Sequence, residues 1–131
     1  MDFRTAWNIV RAELDPKPWE YTTPDRATLT VVPAGFRADK DEAEVIIRVD
    51  DIEEWVKTPE IADLVAALRA GNSWTNLYSG WGVEAAVNDL GVTIAVWQKG
   101  VSTSITLPPE QRLPLASALD RALDVARAWE D

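Results

Sequence analysis

The sequence predicts an α+β domain: an antiparallel sheet of about five strands, built as a hairpin plus a three-strand meander, with helices packed on one face. Three observations carry this. WGVEAAV, VTIAVWQ and VSTSITL alternate at period 2 and are separated by NDLG and KG, which suit hairpin loops. ATLTVV and EVIIRV read as two further strands joined by a polar connection. Three segments with apolar residues at helical spacing surround them, giving the order α-β-β-α-β-β-β-α over a single domain, residues 1–131.

Asp2 is a good N-cap, and Phe3, Ala6, Trp7, Val10 and Leu14 follow at helical spacing, so a helix is expected over about 3–14. DPKPWEYTTPD holds three prolines and predicts a loop over 15–26. After the first two strands, Asp51 is placed to cap a short helical turn, IEEWVK. Thr58 and Pro59 begin a helix over roughly 59–70, with Ile61, Leu64, Val65 and Leu68 as its apolar stripe. Gly71 is positioned to end it in left-handed geometry.

The two meander turns fix registers independently. The Lys99-Gly100 loop sets Gln98 against Val101, Val96 against Thr103 and Ile94 against Ile105. The NDLG loop sets Val87 against Val92, Ala85 against Ile94 and Val83 against Val96. Both put Trp81, Val83, Ala85, Val87, Val92, Ile94, Val96, Val101, Ile105 and Leu107 on one face, the expected core. A short turn at 109–112 and a main helix over 114–129 follow, since Pro114 would disrupt a helix begun at Pro109. Strand, Pro-Glu and helix occur in that order twice, in EVIIRV…TPEIADLVAALRAG and in STSITLPPEQRLPLASALDRAL, as convergent strand-to-helix junctions or an internal duplication would produce. SITLPPEQRLPLASAL also resembles the last strand-to-helix junction of single-stranded-DNA-binding transcriptional coactivators. That resemblance implies a DNA-binding sheet, yet the strands here carry Glu84 and hardly any lysine or arginine.

Composition narrows the chemistry. The chain has no cysteine and no histidine, which removes disulfides, thiolate nucleophiles, serine–histidine triads and the usual zinc ligands. Net charge is -9, and residues 39–63 hold ten acids against three bases. Such a field repels nucleic acid and favours basic partners. No phosphate loop or dinucleotide fingerprint is present. The start, MDFRTAW, lacks a basic n-region and an apolar h-region, so a cytoplasmic location is expected.

Two groups of residues are candidate partner sites. Asp50, Asp51, Glu53 and Glu54 form an acidic patch that could meet a basic protein or, alternatively, complement a helix N-terminus. Their spacing does not match an EF-hand loop, and no metal ligand, catalytic residue or cofactor is assigned. The seven tryptophans supply the second group, because tryptophan and tyrosine are enriched at binding hot spots. Trp97 lies opposite the core face, across from Gly82, ringed by small residues, and is either covered by the N-terminal segment or offered to a partner. Trp74 and Tyr78 lie in the uncharged stretch NSWTNLYSGWG.

The leading functional expectation is a non-enzymatic acidic interaction protein of the inhibitor, immunity or DNA-mimic type, bound to a basic protein. Low lysine with frequent arginine and alanine suits a bacterial or phage source. The alternative is a binding module for a small ligand or single-stranded nucleic acid, stacking on Trp97. A carboxylate-dependent enzyme is the third class. An exposed sheet edge could also make a homodimer.

Overall fold

The structure is a computed structural model that describes residues 19–33 and 43–128. The fold is α+β, as the alternating strands and the two apolar helical stripes require. The strands are β1 (Trp19–Thr22), β2 (Thr28–Pro33), β3 (Glu44–Val49), β4 (Ile52–Lys57), β5 (Trp74–Thr75), β6 (Gly82–Asn88), β7 (Gly91–Gln98) and β8 (Val101–Leu107). Helix α1 (Thr58–Ala70) follows β4, and α2 (Arg112–Ala128) follows β8 after a 3-10 turn at Pro109–Gln111. The strands form two four-stranded antiparallel sheets, β1-β2-β3-β4 and β5-β6-β7-β8, rather than one sheet of five. Four strands in chain order and then a helix thus occur twice.

Three local features account for the extra strands. IEEWVK is strand β4 and not a helical turn. Asp50 sits at φ 54°, donates its N–H to Thr28 O at 2.9 Å and accepts the Thr28 N–H on Oδ1 at 2.9 Å. A short-side-chain aspartate tolerates that left-handed position, so Asp50 and Asp51 turn the chain back with Val49 opposite Ile52. WEYT is strand β1 because the prolines flank it: Pro24 falls in the following turn, closed by Arg26 N–H to Thr23 O and Thr23 N–H to Ala27 O, both at 2.9 Å. Trp74 and Thr75 pair with Ala85 and Glu84 as the two-residue strand β5.

The meander registers are those the loops dictate, with Gln98 opposite Val101 and Val87 opposite Val92. Val83, Ala85, Val92, Ile94, Val96, Ile105 and Leu107 are buried. Trp81 and Val101, expected with them, are 43% and 61% exposed. Val101 adjoins the Lys99-Gly100 turn, and Trp81 follows the tight Ser79-Gly80 turn and pairs with Tyr78 outside β6. Helix α2 begins at Arg112, earlier than Pro114 suggested. Pro114 is its third residue, where the N–H has no intrahelical partner to lose.

One apolar cluster draws on both sheets and both helices. The two units interlock: α1 and α2 pack together, α2 also lies against β2 and β3, and β3 and β4 approach β7. Arg112 reinforces this by donating Nη1 to Leu68 O and, at 3.3 Å, to Arg69 O, satisfying carbonyls at the C-terminus of α1. No helix among the described residues is long and apolar enough to cross a membrane. The expected helix over 3–14, with Trp7, and Asp39, Asp41 and Glu42 of the acidic segment 39–63 lie outside the described residues, as does Trp129 at the end of the expected last helix.

Candidate functional site

NSWTNLYSGWG builds one wall of a cleft. Ser79 at φ 53° and Gly80 at φ 81° make a tight turn in which both central residues are left-handed. Tyr78 N–H donates to Trp81 O at 2.8 Å, and Trp81 N–H to Tyr78 O at 3.0 Å. Residues that exchange both bonds in this way stand side by side with their side chains on one face. Gly80 O accepts the Gly100 N–H at 3.0 Å, docking the turn on the β7–β8 hairpin, and a Cβ on Gly80 would lie 2.7 Å from that nitrogen. The aromatic pair is therefore held by backbone rather than by its own packing. Tyr78 is 82% exposed.

Asn76 fixes the base of this wall. Its N–H donates to Val83 O at 3.1 Å, and its Oδ1 accepts the Val83 N–H at 2.7 Å. Its Nδ2 donates to Glu60 Oε2 at 3.0 Å, which ties the loop to the first turn of α1. Gly82 passes so close that a Cβ there would sit 2.7 Å from Asn76 Oδ1.

The opposite wall is β4 and the start of α1. The cavity between them has a volume of 710 Å³, and its carboxylates are Glu44, Glu53, Glu54 and Glu60. Trp55, Lys57, Tyr78, Trp81 and Gln98 also reach it, with Lys57 the sole base among the lining residues. β4 is the outermost strand of its sheet, so side chains from both of its faces reach the space. Gln98 Nε2 donates to Glu53 O, covering part of that strand edge. Glu54 shares the parity of buried Val56 and stands opposite Ile47. Burial pushes its carboxyl above the ordinary range, and the nearby charges of Glu44 and Glu60 push it further in the same direction.

The four acids of the predicted patch are divided by the fold. Asp50 spends its carboxylate on the Thr28 N–H, and Asp51 is exposed at the β3–β4 turn. Glu53 pairs with Arg48 at 2.7 Å across the strands and lines the cleft, while Glu54 enters the cleft from the other face of β4. Glu53 and Glu54 therefore join Tyr78, whereas Asp50 and Asp51 do not. Trp97 lies opposite Gly82 and Ser102, as its register requires. It is partly buried, and its Nε1 is enclosed without a hydrogen-bond partner among the described residues. Trp74 packs on the core and borders a separate cavity of 460 Å³ with Ser73 and Glu84.

Trp81, Trp55, Glu60, Asn76 and Gln98 line the cleft although the sequence assigned none of them to a partner site, and Trp81 was expected on the core face. Ser-Gly between two aromatics was the available signal for Trp81, being a turn dipeptide that fits a two-residue hairpin. Nothing in the linear order joins Glu60 to Asn76. Among the described residues no group of three acids is placed to hold a metal ion. Carboxylates facing exposed indole and phenol rings make a space suited to an organic cation. Comparison of the chain with protein-family models, with curated proteins and with solved structures returned no match.

Proposed function

We propose that the protein is a non-catalytic acidic interaction protein whose cleft receives a basic segment of a partner protein. The observation that carries this reading is the Tyr78–Trp81 pair, on a turn held by backbone hydrogen bonds, lining one cavity with Glu53, Glu54 and Glu60. Tyrosine and tryptophan are preferred anchors because they bury large area at little entropic cost. The surrounding carboxylates supply long-range attraction and reject acidic partners. Acidic inhibitors, immunity proteins and DNA mimics engage basic partners through charge complementarity of this kind. Stacking of a nucleobase on Trp97 draws no comparable support, because Trp97 does not line the cleft and the net charge of -9 repels phosphate.

Surface plasmon resonance against a panel of basic, neutral and acidic peptides tests the reading. Basic peptides should bind, with affinity falling as salt rises, and Glu53→Lys with Glu60→Lys should abolish binding. Equal binding of acidic and basic peptides would refute it.

A further inference from the structure

Which cation the cleft prefers follows from the shapes of its two walls. A lysine ammonium is a compact, strongly hydrated charge that needs only carboxylates. An arginine guanidinium is planar, more weakly hydrated, stacks on aromatic faces and presents its N–H groups as a fork. The cleft offers something to both halves of that second description. Tyr78 and Trp81 project from one face of a backbone-locked turn, with Trp55 also lining the space. Glu54 and Glu60 stand on the facing elements, and Glu60 is oriented by the Asn76 amide at 3.0 Å.

We infer that the side chain held in this cleft is an arginine of the partner, its guanidinium stacked on the Tyr78–Trp81 pair and its N–H groups donated to Glu54 and Glu60. This rests on the proposed function and sharpens it. The site combines a cavity, an exposed aromatic pair and complementary charge, so the carboxylates do not stand alone. Glu54 is partly desolvated beside the like charges of Glu44 and Glu60, and a weakly hydrated cation relieves that repulsion at the smallest desolvation cost. The expected preference comes from the stacking wall, since both cations can meet the carboxylates.

Calorimetric titration of the full chain with acetylated tetra-arginine and tetra-lysine amides, equal in charge, tests this. Tetra-arginine should bind about tenfold more tightly. Tyr78→Leu with Trp81→Leu should reduce that preference to about twofold or less, because tetra-arginine binding weakens more than tetra-lysine binding. Thermal melts of the double variant check folding, and Tyr78→Leu alone, at the more exposed position, provides the same test if the double variant melts early. Equal affinity for the two peptides would overturn the arginine assignment and leave the basic-partner reading intact. A preference that survives the leucine substitutions would also overturn it. Binding of neither peptide would remove both.

Discussion

Asn76 joins Glu60 through a 3.0 Å hydrogen bond from Nδ2, and so couples the loop that presents Tyr78 to the helix that presents a carboxylate. The same amide accepts the N–H of fully buried Val83 through Oδ1 at 2.7 Å. One side chain therefore bridges the two walls. Asn76→Ala leaves a donor unsatisfied in the interior, with an expected cost of about 1–3 kcal/mol in denaturant unfolding. It should also weaken basic-peptide binding by freeing Glu60. A variant as stable as the parent would show that the bridge carries little weight.

Tyr78 separates function from stability. At 82% exposure it contributes little to the fold, so Tyr78→Ala should change unfolding free energy by no more than about 0.5 kcal/mol. As an aromatic anchor carried on a backbone-held turn, its loss should weaken partner binding about fivefold. Unchanged affinity in a titration would remove Tyr78 from the interface.

Gly82 is needed for its backbone. Its φ is 132°, and an added Cβ would meet Asn76 Oδ1 at 2.7 Å and both Asn76 O and Leu77 Cα at 3.0 Å. Gly82→Ala should destabilise by about 2–4 kcal/mol, since strain and backbone overlap act together. A melting temperature within a degree of the parent would contradict this.

These residues also mark how far the sequence could be read. Both meander registers were legible because two-residue turns and period-2 alternation are local properties that must agree. β4 was hidden because Glu54 falls on the parity of Ile52 and Val56, and Trp55 on that of Glu53 and Lys57, so IEEWVK does not alternate. The alternation is broken by Glu54, the acidic residue that gives the cleft its most perturbed group. Trp81 was misplaced because strand parity was extended one residue past Gly82, into a turn where parity no longer applies. The cleft itself unites β4, α1, the β5–β6 loop and the end of β7, a juxtaposition set by packing of the two units and by no spacing in the chain.

Glu54 provides the last test, because stability and binding should respond to it in opposite directions. Its pKa is raised in the folded state, so the ionised form opposes folding. That penalty is present above the folded pKa, diminishes as pH falls through it, and is gone below the unfolded value. Glu54→Gln should therefore raise the melting temperature at neutral pH, and the gain over the parent should shrink as pH drops into the ordinary carboxylate range. Binding has the reverse sign. A bound cation holds Glu54 ionised, so complex formation releases a proton, and parental affinity should fall as pH is lowered through that raised value. Glu54→Gln should bind basic peptides more weakly at neutral pH and show a flatter pH profile. Thermal melts and calorimetric titrations across about pH 4–8 read both effects on one pair of proteins. A variant that is less stable at neutral pH, or that keeps full affinity and the parental pH slope, would show that this carboxylate serves the fold and not the partner.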